Sequence, residues 1–341
     1  MFCSSCGKKL AEGSKFCPGC GTKVGNITNR QKNEDLKDNI SEYEDEDEDE
    51  EDEDEDKSSS NKSFINSLVE MRIKMDCVDM DSSFDDIMNT VGSKIFLSAE
   101  QCFMNKDYDK AIEYFQKYIK INDNLISHYR LAQSFILLAS LQAENEHYKA
   151  NFLNIIENAL NISNKMCPIK KRGKFKLFKL KGHALSLQAD YFNFMKKVSM
   201  GDGKEEEESY KASILNAIKS YIESLNFADS ESSKSEVLLK IGKLFFDIED
   251  CKEALNYFKQ CLSTLEHIKE YDTAEKEIID NSMYFSIWCY SQLGDAKNTA
   301  IMLSEFLKEH QGEDIDEIDE DLPKLKKELI KNGYGDYFDN D

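Results

Sequence analysis

Proline is scarce in this chain: Pro18, Pro168 and Pro323 are the only three among 341 residues. With so few, long helices meet little forced interruption. Histidine is sparse too. His128, His147, His183, His267 and His310 are scattered, and none falls in a His-Glu-x-x-His or a Cys/His spacing, which removes the commonest hydrolytic metal and thiol sites. No apolar run nears the roughly 18–20 residues of a membrane span. The densest, Phe135 to Ala139, is broken by Ser140. The N-terminus carries cysteines where a secretory signal would carry a basic flank and an apolar core. A cytoplasmic location with reduced thiols is therefore expected. There is no dinucleotide fingerprint, no kinase-type signature and no nucleophile–base pair. Gly201-Asp202-Gly203-Lys204 runs straight into Glu205–Glu208, which repel phosphate. The expectation is a protein that is not an enzyme.

What is abundant is acid, and it is unevenly placed. The net charge is -22. Residues 1–32 carry six basic residues and one acidic, whereas residues 42–56 hold Asp or Glu at fourteen of fifteen positions. A globally basic nucleic-acid binder is excluded. Four zones follow: a cysteine-rich segment at 1–24, an acidic linker read as disordered at 25–62, a helical domain at 63–311, and an acidic segment with one short helix at 312–341. The linker has almost no apolar residue with which to offset its ordering entropy, and its like charges repel.

The first zone carries the sharpest motif. Cys3-x-x-Cys6 and Cys17-x-x-Cys20 lie ten residues apart. Two such turns supply the four thiolates that Zn²⁺ takes in a tetrahedral structural site, leaving no open position for catalysis. Gly7 and Gly21 follow each pair, Phe2 and Phe16 precede them, and Lys8, Lys9, Lys15 and Lys23 offset the negative charge of such a centre. A thioredoxin-like redox pair would need a strand–helix context that this glycine-rich segment lacks. The segment resembles the short N-terminal zinc ribbon of many bacterial and archaeal proteins. That resemblance implies one structural Zn²⁺ held by Cys3, Cys6, Cys17 and Cys20. The other six cysteines, Cys77, Cys102, Cys167, Cys251, Cys261 and Cys289, stand singly in apolar patterns and read as small buried hydrophobes.

Across 63–311 apolar residues recur at i, i+3, i+4 and i+7, as in Leu238, Ile241, Leu244, Phe245 and Ile248, and short polar breaks separate about ten or eleven expected helices. Two segments match each other: Asn105 to Phe115 and Asp247 to Phe258. With Ile241-Gly242, Ala254 and Phe258 in one copy, and Ala99, Asp107-Tyr108, Ala111 and Phe115 in the other, they resemble the tetratricopeptide repeat. Both lack the repeat's closing proline, and the middle pairs are irregular, with only Ala217, Tyr221 and Leu225 echoing the pattern. The resemblance implies an all-α fold, a helical-hairpin (tetratricopeptide-like) solenoid whose concave, first-helix face binds a peptide or protein. Gln101, Asn105, Arg130, Gln133 and Lys240 are the residues expected on that face.

The function expected is thus a non-catalytic protein–protein interaction adaptor or scaffold. The alternative is a regulator of a nucleic-acid-associated complex, with the basic ribbon touching DNA or RNA and the acidic tract modulating it. Clustered Arg and stacking aromatics are missing from the ribbon, so nucleic acid is the weaker partner class. The basic run Lys170–Lys181 has seven cations in twelve residues and reads as a solvated helix face above inward Phe175, Phe178 and Leu180. Asp76, Asp79 and Asp81 lack the glycine and terminal Glu of a calcium loop and read as solvated acid.

Overall fold

The computed structural model describes residues 71–80, 83–144, 148–198, 203–268, 270–310 and 319–338, all within one compact unit, Ser60–Asp341. Cys3, Cys6, Cys17 and Cys20, the linker with its acidic tract, Asp81 and His147 lie outside the described residues. Every regular element described is helical: residues 71–79 (α1), Phe84–Val91 (α2), Lys94–Met104 (α3), Tyr108–Ile119 (α4), Leu125–Glu144 (α5), Phe152–Lys165 (α6) and Lys171–Val198 (α7). Lys204–Leu225 (α8), Glu231–Asp247 (α9), Cys251–Leu265 (α10), Thr273–Gln292 (α11), Ala296–Glu309 (α12) and Leu322–Leu329 (α13) complete the set. Twelve of these fall between residues 63 and 311, more than the ten or eleven expected. The short α2, only eight residues, is too brief for a periodicity to register. No described helix is long and apolar enough to cross a membrane.

The hairpin turns repeat in detail. Lys106, Glu249 and Gly294 take φ of 62°, 63° and 73°, and an aspartate follows each. The N–H of Asp107, Asp250 and Asp295 donates to the carbonyl of Cys102, Phe245 and Tyr290 respectively, each at 2.9 Å. The same aspartates then cap α4, α10 and α12, accepting from the N–H of Lys110, Glu253 and Asn298 at 3.3, 3.2 and 3.2 Å. The left-handed residue closes the first helix while the cap opens the second. Holding Lys106 and Glu249 there costs about 1–2 kcal/mol each, which the flanking hydrogen bonds offset.

Consecutive helices pack as pairs, α3 with α4, α5 with α6, α7 with α8, α9 with α10 and α11 with α12, and each pair packs on the next. First helices also touch one another, α5 against α7 and α9 against α11. Ala99, Ala111, Phe115, Ala254 and Phe258 are fully buried at these crossings. Gly242 shows why a small residue is required: a Cβ there would sit 2.4 Å from the Phe258 ring. Gly182 faces Tyr221 in the same way at 2.8 Å, so α7 and α8 repeat the close approach of α9 and α10. At the C-terminal end, α13 is followed by tight turns that carry Phe338 back, burying it with Leu322 and Leu329 beside Leu303 and Phe306 of α12.

Candidate partner groove and metal centre

One feature of the odd-numbered helices is a buried ion network. Arg130 of α5 is 1% exposed. Its Nη1 donates to Gln133 Oε1 at 2.8 Å, its Nη2 to Asp76 Oδ2 of α1 at 2.5 Å, and its Nε lies 2.6 Å from Glu100 Oε1 of α3. Lys176 of α7 donates to both Asp76 and Asp79, at 2.5 and 2.6 Å. Four first helices are tied by these side chains alone. Burial pushes the Glu100 carboxyl above its ordinary value, and the charges of Arg130 and Arg72 offset this only in part. Neither Glu100 oxygen has a hydrogen bond, so the ion pair with Arg130 is what holds that carboxylate inside the protein. For Lys176, burial works against the ammonium, yet the hydrogen bonds it donates to Asp76 and Asp79 carry its pKa above the usual lysine value.

This changes the reading of two sequence features. Asp76 and Asp79 are not solvated acid but the counter-ions of Arg130 and Lys176. The Lys170–Lys181 run is not a free basic face either: Phe175 and Leu180 do pack inward, but Lys179 pairs with Glu236 of α9 at 2.5 Å and Lys170 donates to the Val78 carbonyl at 2.7 Å. Lys174 and Lys181 sit over the rings of Phe227 and Phe178 at 5.4 and 5.6 Å. A helix is legible from 170–181 alone; its partners on other segments, 53 to 100 residues away, are not.

The expected partner-face residues divide accordingly. Arg130 and Gln133 meet in a groove of about 330 Å³ shared with Met71, Met75 and Lys176. Arg130 there is fully engaged, so the groove offers Gln133 and the methionines instead. Lys240 lies one turn beyond Glu236 on α9, 3.8 Å from its carboxylate. Crowding by protein lowers its pKa, and the charges of Lys179 and Lys243 act in the same direction. Gln101 on α3 and Asn105, the residue that caps its C-terminus, are exposed and take no part in the network.

A second groove, about 570 Å³, opens between α5 and α7 and is lined by Leu137, Glu144, Tyr148, His183, Leu187, Asp190, Phe194 and Lys197 among others. Sequence reasoning did not single out Asp190 or Glu144; their only signal is the i, i+3, i+4 spacing of polar residues along each first helix. Burial, with Lys240 and Lys179 nearby, pushes His183 down to about 4, so its imidazole is neutral at pH 7. Burial and the charge of Asp247 on α9 raise the Asp190 carboxyl from 3.8 to about 6. The folded chain therefore holds that proton more tightly than the unfolded chain does. Ionising Asp190 works against folding, and its contribution is complete below pH about 4 and lost as the pH climbs through about 6. Asp190→Asn is expected to match the parent in thermal midpoint at pH about 4 and to exceed it slightly at pH about 7. Paired calorimetric scans check this, and a variant less stable at pH 7 contradicts it.

Among the described residues no group of three or more His, Cys, Asp or Glu is placed to hold a metal ion. None of the six described cysteines forms a disulfide, and only Cys251 and Cys261 share a helix, α10. At the N-terminus, four thiols in two Cys-x-x-Cys pairs match the donor set of structural zinc. A family model described as a zinc-ribbon domain matches residues 2–24, and no tetratricopeptide-repeat match was found. No curated protein matches this chain. The N-terminal segment is accordingly a zinc-ribbon domain, with zinc binding as its implied chemistry, on a chain whose remaining described residues are all-helical.

Proposed function

We propose that the protein is a non-catalytic adaptor. Its helices form a tetratricopeptide-like solenoid whose first-helix face receives a partner protein or peptide, and its ribbon holds one structural Zn²⁺ through Cys3, Cys6, Cys17 and Cys20. The observation that carries this reading is the pair of grooves, about 570 and 330 Å³, lined by polar side chains of α5 and α7, with Lys240 and Glu236 on the neighbouring α9. Grooves of this size suit a few side chains of a partner. Three turns of one geometry, at Lys106, Glu249 and Gly294, support the repeat, and so does the shared close approach at Gly182 and Gly242. Within the network, Arg130 and Lys176 donate hydrogen bonds to Asp76 and Asp79, which suits a scaffold.

Capture from native lysate with the full chain tests this reading when run beside a Gln133→Glu/Lys240→Glu variant. Both positions are partly exposed, and an unchanged thermal midpoint and far-UV helical signal check that the variant is folded. The expected result is a partner held by the parent chain and depleted about tenfold or more on the variant, which corresponds to 1.4 kcal/mol or more. Equal capture by both chains removes the first-helix face as the docking surface.

A further inference from the structure

The groove between α5 and α7 has an apolar wall and an acidic rim. Leu137 and Leu187 form the wall with Tyr148 and Phe194, whose ring centroids are 4.8 Å apart. Glu144, the last residue of α5, and Asp190 of α7 stand on the rim. Asp247, the last residue of α9, is close enough to Asp190 to act on its charge. A row of three carboxylates thus crosses three successive first helices.

This row is poorly compensated. None of the three carboxylates makes an ion pair among the described residues, whereas Asp76, Asp79 and Glu236 all do. Glu144 and Asp247 also close their helices, where free carbonyls already carry partial negative charge. The positive charges in reach are Lys197 in the lining and Lys243 one turn before Asp247. His183 contributes none, because its imidazole is neutral. Such an arrangement costs the free protein stability and rewards a ligand that brings a cation.

We propose that this groove receives an Arg or Lys side chain from a basic partner peptide, its aliphatic stem on Leu187, Tyr148 and Phe194 and its charged head between Glu144 and Asp190. The inference rests on the adaptor reading and names the partner's chemistry. A basic side chain fits both halves of the groove, since its stem is apolar and only its head is charged. The Tyr148 and Phe194 rings add cation–π attraction. A bare metal ion fits less well, as no group of three ligating side chains converges among the described residues. The chain's net charge of -22 favours encounter with a basic peptide.

The test uses the full chain and two labelled octapeptides, one alternating Arg with Leu and one alternating Glu with Leu, read by fluorescence anisotropy at about 0.15 M salt. The Arg–Leu peptide is expected to bind the parent chain and to bind a Glu144→Gln/Asp190→Asn variant about tenfold more weakly, a loss of about 1.4 kcal/mol. The Glu–Leu peptide is expected to bind neither. Both substitutions are isosteric, Glu144 is exposed at the end of α5, and an unchanged or higher thermal midpoint confirms that the variant is folded. Equal affinity of parent and variant for the Arg–Leu peptide places its binding elsewhere, on the acidic tract 42–56 among other acids, and overturns the inference. Binding of the Glu–Leu peptide that is lost in Gln133→Glu/Lys240→Glu also overturns it, while leaving the adaptor reading intact. If no first-helix substitution alters either peptide binding or capture of a partner, both readings fall.

Discussion

Arg130→Met is expected to lower the unfolding free energy by about 3–5 kcal/mol, the range for breaking one side of a buried ion pair. The physical reason is what remains behind. Glu100 is completely buried, has no hydrogen bond of its own, and depends on the guanidinium 2.6 Å away. Asp76 keeps Lys176 at 2.5 Å and is compensated, so the penalty concentrates on Glu100. For a unit of this size such a loss lowers the thermal midpoint by roughly 6–20 °C. A companion variant, Glu100→Leu/Arg130→Met, removes both charges and replaces them by apolar side chains. It is expected to recover most of the loss, because buried pairs contribute little net stability relative to well-packed hydrophobes. Urea melts of the three chains check this. A single variant within about 1 kcal/mol of the parent, or a double variant worse than the single, contradicts the assignment of Glu100 and Arg130 as one unit.

Loss of zinc is expected to have the other large effect. Segments below about 40 residues usually need a metal or other staple to fold, and apparent Zn²⁺ binding energies in small zinc domains are about 10–16 kcal/mol at pH 7. The purified chain is expected to contain one zinc per molecule by elemental analysis. Cys17→Ser is expected to abolish that stoichiometry, since three thiolates and a hydroxyl no longer complete the tetrahedral thiolate set. Chelation is expected to expose the 1–24 segment to protease while the far-UV helical signal is retained, because no metal-type cluster occurs among the described helices. Zinc content unchanged by Cys17→Ser, or a helical signal lost on chelation, contradicts this division of labour.

Much of this was legible in residue order, and the parts that were not share a cause. The helix pairs 125–144 with 152–165 and 273–292 with 296–309 follow from apolar periodicity and polar breaks, which are local properties. Asp107 and Asp250 fall inside the two matching segments, 105–115 and 247–258, because cap and turn lie within four positions of each other. Gly182 was missed. It stands 39 residues before the Tyr221 ring it faces, whereas Gly242 stands 16 before Phe258, because α7 and α8 are longer than α9 and α10. The extra length hides a repeat that the packing reveals. The ion network was missed for the same reason: Asp76 and Arg130 are 54 positions apart, and Asp76 and Lys176 are 100 apart. A charge reads as solvated until a distant element is known to face it. In the metal segment the four cysteines fall within eighteen positions, so spacing alone carried the chemistry.

The adaptor claim turns on which surface a partner covers. The most direct measurement is hydrogen–deuterium exchange of the full chain, alone and bound to the protein it captures from lysate. New protection is expected in α5, α7 and α9, around Gln133 to Glu144, Lys179 to Asp190 and Glu236 to Asp247, with the outer face of α8 around the exposed Leu215 and Ile222 unchanged. Protection confined to that α8 face, or absent from every first helix in a saturated complex, contradicts the account.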